Sequence, residues 1–278
     1  MSEKLSDKDL KEQLQKEAHG KMDYKFPTEE ISLPSNGLVY DEDTLLADGK
    51  ITMKYMSAKE EDILTSKSLI QAKTVLDKLF QSLIITPIKY NDLLLGDKNK
   101  IMIASRILGY GKDYSISVSC PKCKHEMSIT VDLQDLTENE LVASDVYKQN
   151  KNEFPFTLPN SKKEIKFKLL TQGDYQKIKL EVNSLRKQTA KTGISPEATT
   201  TLKFTIIDVD GNTDKKYIDK FVDNELLAFD SKELRKEIKR VSPDVNLKHY
   251  FVCENTMECE YEGEINVPME TDFFWPET

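Results

Sequence analysis

Four cysteines, Cys120, Cys123, Cys253 and Cys259, constrain this chain more than any other feature, because each pair lies between segments that read as strands. Cys120-Pro121-Lys122-Cys123 has the spacing of a zinc knuckle, in which two thiolates at a hairpin tip fill two corners of a tetrahedral ion. One such pair is half a site. Ile116 and Val118 alternate with serines before it, and Met127, Ile129, Val131 and Leu133 alternate with polar residues after it, which is the period of a half-buried strand. Cys253 and Cys259 are separated by five residues, so a second knuckle there needs a longer loop. Tyr250 and Val252 lead into that pair, and Ile265 and Val267 continue as a strand beyond it.

Four sulfurs are what a closed structural site requires. The expectation is therefore one zinc ion held by Cys120, Cys123, Cys253 and Cys259, tying the end of the first half of the chain to the end of the second. The intervening loop of about 130 residues is no obstacle, because closure entropy grows only logarithmically with length. Two alternatives stand beside this expectation: His125 replaces one thiolate, with Glu258 and Glu262 offering oxygens, or the four thiols are reduced and unrelated. A thioredoxin-like role would need the CxxC at the start of a helix, and here a strand follows it.

The charge pattern narrows the partners. Of 278 residues, 32% are charged and the net charge is −8, so at long range the molecule repels a phosphate backbone, and nucleic-acid binding is not expected. The basic stretch from Lys162 to Lys191 interleaves with apolar residues as a solvated face does. Residues 1–25 alternate charges without an apolar run, which reads as a mobile charged tail and neither a signal peptide nor a membrane span. The sequence predicts action in a cytoplasm, or in a particle assembled there, without membrane insertion.

Local patterns predict an α+β fold, with helices packed on short antiparallel hairpins, in two halves over residues 26–150 and 151–278. In the first half, Ile51, Met53 and Tyr55 mark a strand, and Ser57 with Glu60 has capping-box spacing for a helix start. Val75, Leu76, Leu79, Phe80, Leu83 and Ile84 form a helical stripe that must end by Pro87, and a further helix spans about Asp97 to Leu108. In the second half, a strand pair turns at Pro159-Asn160-Ser161, and a polar helix starts near Asp174. Gly193, Pro196 and Thr199 to Thr201 read as a flexible connection into the apolar segment Leu202 to Val209, which Asp210-Gly211 closes with a turn. Asp214 and Asp230 each have the position of a helix cap.

Reaction chemistry is not legible. Asp208 to Asp214 lacks the glycine position and terminal glutamate of a calcium loop, and no phosphate-binding glycine loop, GxSxG elbow or HExxH occurs. His19, His125 and His249 are scattered. Two other classes remain as alternatives. A zinc-ribbon nucleic-acid-binding or transcription factor would need a basic face, yet Glu126, Glu254, Glu258, Glu260, Glu262 and Glu264 surround the knuckles against Lys122, Lys124 and Lys248. An enzyme of unrecognised type would need convergent acid and base groups.

The run Tyr217 to Asn224, then Asp230-Ser231-Lys232-Glu233-Leu234-Arg235, Pro243-Asp244, the second cysteine pair and the end Phe273-Phe274-Trp275-Pro276 together resemble the baseplate hub family of T-even-type phages. Leu33 to Tyr40, Met56 to Leu64, Arg106 to Gly111 with Tyr114, and Cys120 to Cys123 running into Val131-Asp132-Leu133 are similar to the first half of that family. The resemblance covers the chain from residue 26 onward; the wide spacing of Cys253 and Cys259 departs from it. It implies a structural or assembly role at the central hub of a contractile tail, through contacts with other tail and baseplate proteins and without turnover. The location it implies is the virion baseplate, or the host cytoplasm during assembly. Phe273, Phe274 and Trp275 are either an exposed partner-binding anchor or tucked onto the chain's own core.

Overall fold

A computed structural model describes residues 27–146, 148–189, 195–255, 259–269 and 273–274. The tail expected at residues 1–25 and the side chain of Trp275 lie outside the described residues.

The architecture is mixed, with helices packed on small antiparallel sheets. Strand β1 (Thr28–Ser32) pairs with β2 (Lys50–Lys54), which carries Ile51 and Met53 inward and Lys50, Thr52 and Lys54 outward. The loop between them is held by a tight turn at Asn36 and Gly37. Gly37 takes φ 73°, and a Cβ there would sit 2.3 Å from the Ala47 carbonyl oxygen, so only glycine fits. Helix α1 (Ala58–Leu64) begins at the expected capping box. The Ser57 amide donates to Glu60 Oε2 at 3.0 Å, so the Glu60 carboxylate satisfies an otherwise orphaned N–H.

After the short α2 (Lys67–Gln71), α3 (Val75–Leu83) buries Leu79, Phe80 and Leu83 completely, which is the stripe read from the sequence. It stops before Pro87 because the chain turns extended at Ile84, which bridges to Met53, while the Ile85 amide donates to the Thr52 carbonyl. Helix α4 (Leu95–Tyr110) ends where Gly111 adopts φ 86°. It leads into the ribbon β3 (Asp113–Ser119) and β4 (Glu126–Asp132).

Strand β5 (Glu138–Asn139) is followed by β6 (Phe154–Thr157) and β7 (Glu164–Phe167), then by α5 (Gln172–Thr189). Thr199 to Thr201, expected as a flexible connection, instead lie inside α6 (Glu197–Thr205). The Thr201 and Thr205 hydroxyls donate to carbonyls four residues back, and Thr200 is buried, so tertiary packing overrides the weak helix propensity of threonine. Strand β8 (Ile206–Val209) completes the three-stranded sheet β6-β7-β8 and closes at Asp210 and Gly211, both at positive φ. Asp214 caps α7 (Lys215–Asn224) by accepting from the Tyr217 amide at 3.1 Å.

Helix α8 (Ala228–Val241) starts two residues ahead of Asp230, which therefore does not cap it. The Asp230 carboxylate is fully buried and accepts instead from the Asn160 and Ser161 amides, at 2.7 and 3.0 Å, pinning the β6–β7 turn to the helix. Strand β9 (Asp244–Val245) pairs with β5, and the ribbon β10 (Lys248–Val252) and β11 (Glu262–Asn266) follows.

One hydrophobic cluster runs from Ile31 to Phe274 and draws on both sides of residue 151. Backbone bonds cross there as well: the Gln172 amide donates to the Leu93 carbonyl at 2.7 Å, and the Leu95 amide to the Leu170 carbonyl at 3.2 Å. Phe273 and Phe274 are buried, at 0% and 1% exposure. Phe273 meets Tyr114 edge-on at 5.0 Å between ring centroids, and Phe274 lies 6.1 Å from Phe80. Of the two alternatives for these positions, the packing is that of rings tucked onto the chain's own core.

Candidate metal centre

The two ribbons meet at their cysteine ends. In the first, the Cys120 amide donates to the His125 carbonyl and the Lys124 amide to the Cys120 carbonyl, both at 2.9 Å, with Lys124 at φ 61°. This tight turn projects both side chains of Cys120-Pro121-Lys122-Cys123 to the same side of the hairpin tip. In the second, the Cys253 amide donates to the Tyr261 carbonyl, and the Cys259 amide reaches back to the Asn255 carbonyl, both at 2.8 Å. The longer loop thus still returns Cys259 to the mouth of its hairpin.

The four sulfurs lie within 4.8 Å of one another. Cys120 and Cys259 are 3.8 Å apart and Cys123 and Cys253 3.6 Å apart, far beyond the roughly 2.0 Å of a disulfide. At a zinc–sulfur distance of about 2.3 Å, tetrahedral geometry places neighbouring sulfurs about 3.8 Å apart, so the spacing suits one ion bound by all four. Cys120, Cys253 and Cys259 are buried and Cys123 is partly so. A small apolar cluster supports them, with Met127 and Phe251 buried beside the thiols and Val118, Ile129, Tyr261 and Ile265 packed around. The expected juxtaposition of the four cysteines is therefore present. His125 is exposed and contributes its backbone carbonyl, outside the thiol cluster.

The electrostatics suit a cation. Burial pushes the Cys120 thiol up, but the Cys123 and Lys122 amides and the neighbouring thiols bring it down to about 7. Burial raises Cys253 and Cys259; the other three cysteines add to the rise at Cys253, which reaches about 12, and Cys123 and Cys120 add to it at Cys259. Four thiols in one small space can hold one negative charge readily and further charges only at high cost. A divalent ion removes that cost by neutralising them.

Sequence reasoning passed over the second layer of this centre. Phe251 and Tyr261, with ring centroids 5.9 Å apart, brace the second knuckle. The alternation of β10 points Phe251 inward, a signal that was available. The close packing of Tyr261 on Gly263, where a Cβ would stand 2.7 Å from the phenol oxygen, was not.

No curated protein and no solved structure matches the chain. No helix among the described residues is long and apolar enough to cross a membrane. The sequence model of the T4 bacteriophage base plate protein family matches residues 29–275, which takes in all but the first residue of β1, the whole core, both ribbons and the Phe273-Phe274 pair. On that match, the chain belongs to the T4 bacteriophage base plate protein family.

Proposed function

We propose that this protein serves at the central hub of a contractile-tail baseplate as a structural or assembly component. It acts through contacts with other tail and baseplate proteins and without turnover, in the virion baseplate or in the host cytoplasm during assembly. One zinc ion held by Cys120, Cys123, Cys253 and Cys259 staples its two ribbons. The observation that carries the reading is the family match over residues 29–275, joined to a four-thiol cluster at tetrahedral spacing. A division into halves at 26–150 and 151–278 is part of the same proposal, with the zinc as a tie between them. Phe273 and Phe274 hold the second half to the first, leaving Trp275 as the remaining candidate for a partner contact.

The test is affinity purification of the tagged chain from infected cells, with mass spectrometry of its partners and of mature particles, and elemental analysis of the purified protein. Hub and baseplate proteins among the partners, with close to one zinc per chain, are expected. Partners unrelated to the tail would overturn the hub assignment, and protein that takes up no zinc would overturn the staple.

A further inference from the structure

The two ribbons at the metal centre share a topology but differ on their outer faces. On β3–β4 the outward residues include Ser115, Ser117 and Ser119 opposite Thr130, Ser128 and Glu126, and Ser115 and Thr130 bond one another at 3.1 Å. That is a hydroxyl surface suited to water. On β10–β11 the outward residues are Lys248, Tyr250 and Val252 opposite Asn266, Glu264 and Glu262. Tyr250 and Val252 are 55% and 54% exposed and are neighbours on the same face of β10. At the knuckle end Glu254 and Glu260 are exposed as well. Four carboxylates thus rim an apolar strip against one ammonium, that of Lys248, already paired with Glu264 at 2.7 Å. The Tyr250 phenol donates to Glu262, which fixes its ring on the face.

We propose that this outer face of β10–β11 docks a basic, amphipathic segment of a neighbouring protein. The apolar side chains of that segment would cover Tyr250 and Val252, and its Lys or Arg residues would meet Glu254, Glu260, Glu262 and Glu264. Charge complementarity selects this occupant. A second copy of the chain packed on this face about a two-fold axis would set the same carboxylates against each other, and a nucleic acid would add phosphates to them. The inner face of the ribbon packs Phe251 and the cysteines into one small cluster, which braces the docking face from behind and so lowers the ordering cost of binding. The inference rests on the reading of the chain as a protein that works by protein contacts.

The experiment places the photo-crosslinker p-benzoylphenylalanine at Tyr250 of the full chain and, as a control, at Ser117 on the outer face of the other ribbon, and irradiates cells in which particles assemble. The expected result is a crosslink from position 250, at least about tenfold above that from 117, to a peptide rich in Lys or Arg and apolar residues. The double variant Glu262→Lys with Glu264→Lys should reduce it by about tenfold while the protein still melts cooperatively. A yield equal to that at 117, a crosslink to a second copy, or one to an acidic peptide would each overturn the proposal. A basic partner outside the tail would leave the docking face standing and sink the baseplate reading. Incorporation into baseplates without the crosslink would do the reverse.

Discussion

Asp230 shows at the level of one residue how a correct chemical reading can be attached to the wrong partner. Its spacing to Glu233 reads as a helix cap, yet the buried carboxylate serves the amides of Asn160 and Ser161, some seventy residues earlier. A cap signal is local in sequence and visible; an acceptor shared with a distant turn is not. Replacing Asp230 by Ala leaves two amides without their acceptor and should destabilise the protein by about 2–3 kcal/mol, read as a lower denaturant midpoint. A loss below about 0.5 kcal/mol would show that water replaces the carboxylate. At Glu60 the local signal and the structure agree, and the structure adds partners. Burial raises its carboxyl, but Lys54 at 2.7 Å, Ser57 and Ser82 outweigh that and hold it down at about 2. Since the folded-state value lies below the ordinary one, the stabilisation is fully present above about pH 4.5 and is lost as pH falls through about 2. Melting temperature plotted against pH should therefore fall less steeply between these limits in Glu60→Gln than in the unaltered protein, and parallel curves would refute the assignment.

Among elements, legibility follows the range of the forces that decide them. Helix α3 and the ribbon at the first cysteine pair are readable because period and burial coincide: Leu79, Phe80 and Leu83 are one stripe, and Met127 and Val131 point to one face, whereas at the second pair Tyr250 and Val252 are exposed and Phe251 is the buried residue. Helix α6 was not readable, because Thr199 to Thr201 are poor helix formers that the packing of Thr200 and Leu202 compels into a helix. The pairing of β5 with β9 was equally hidden, being two residues long and set by its neighbours. Its cause lies in α4, where Gly96 comes so close to β9 that a Cβ would fall 1.6 Å from the Pro243 carbonyl oxygen. No rotamer relieves a clash with backbone. Gly96→Ala should accordingly push β9 off α4 and cost about 2–4 kcal/mol despite the better helix propensity of alanine. Amide exchange should speed up at Val245 and Asn246 first. A variant as stable as the parent, with those amides still protected, would mean that helix and strand are not in this close contact.

The whole molecule is closed twice between its beginning and its end, once by carbon and once by sulfur. Phe273 and Phe274 plug the first-half core against Tyr114 and Phe80, so Phe274→Ala should cost about 3–5 kcal/mol, measured by chemical denaturation. The other closure is the four-cysteine centre, and the two differ in what they hold. The aromatic pair belongs to the large cluster that includes Leu79, Ile101 and Phe167, whereas the thiols belong to a separate small one with Met127 and Phe251. A two-stranded ribbon is marginal alone, so β10–β11 depends on that small cluster and on the proposed ion. A structural zinc contributes on the order of 10 kcal/mol of apparent binding free energy, enough to decide whether the second ribbon is folded. Its removal should then be selective. Chelation, or Cys120→Ser or Cys253→Ser, should release the ion and abolish amide protection in β10 and β11, while α3 and α4 around Leu79 and Ile101 keep most of theirs. Added zinc should restore the unaltered protein and not the serine variants. Uniform loss of protection across the chain would show that the metal holds the entire fold, and unchanged protection in both ribbons would show that the sulfurs pack as free thiols with no ion to lose.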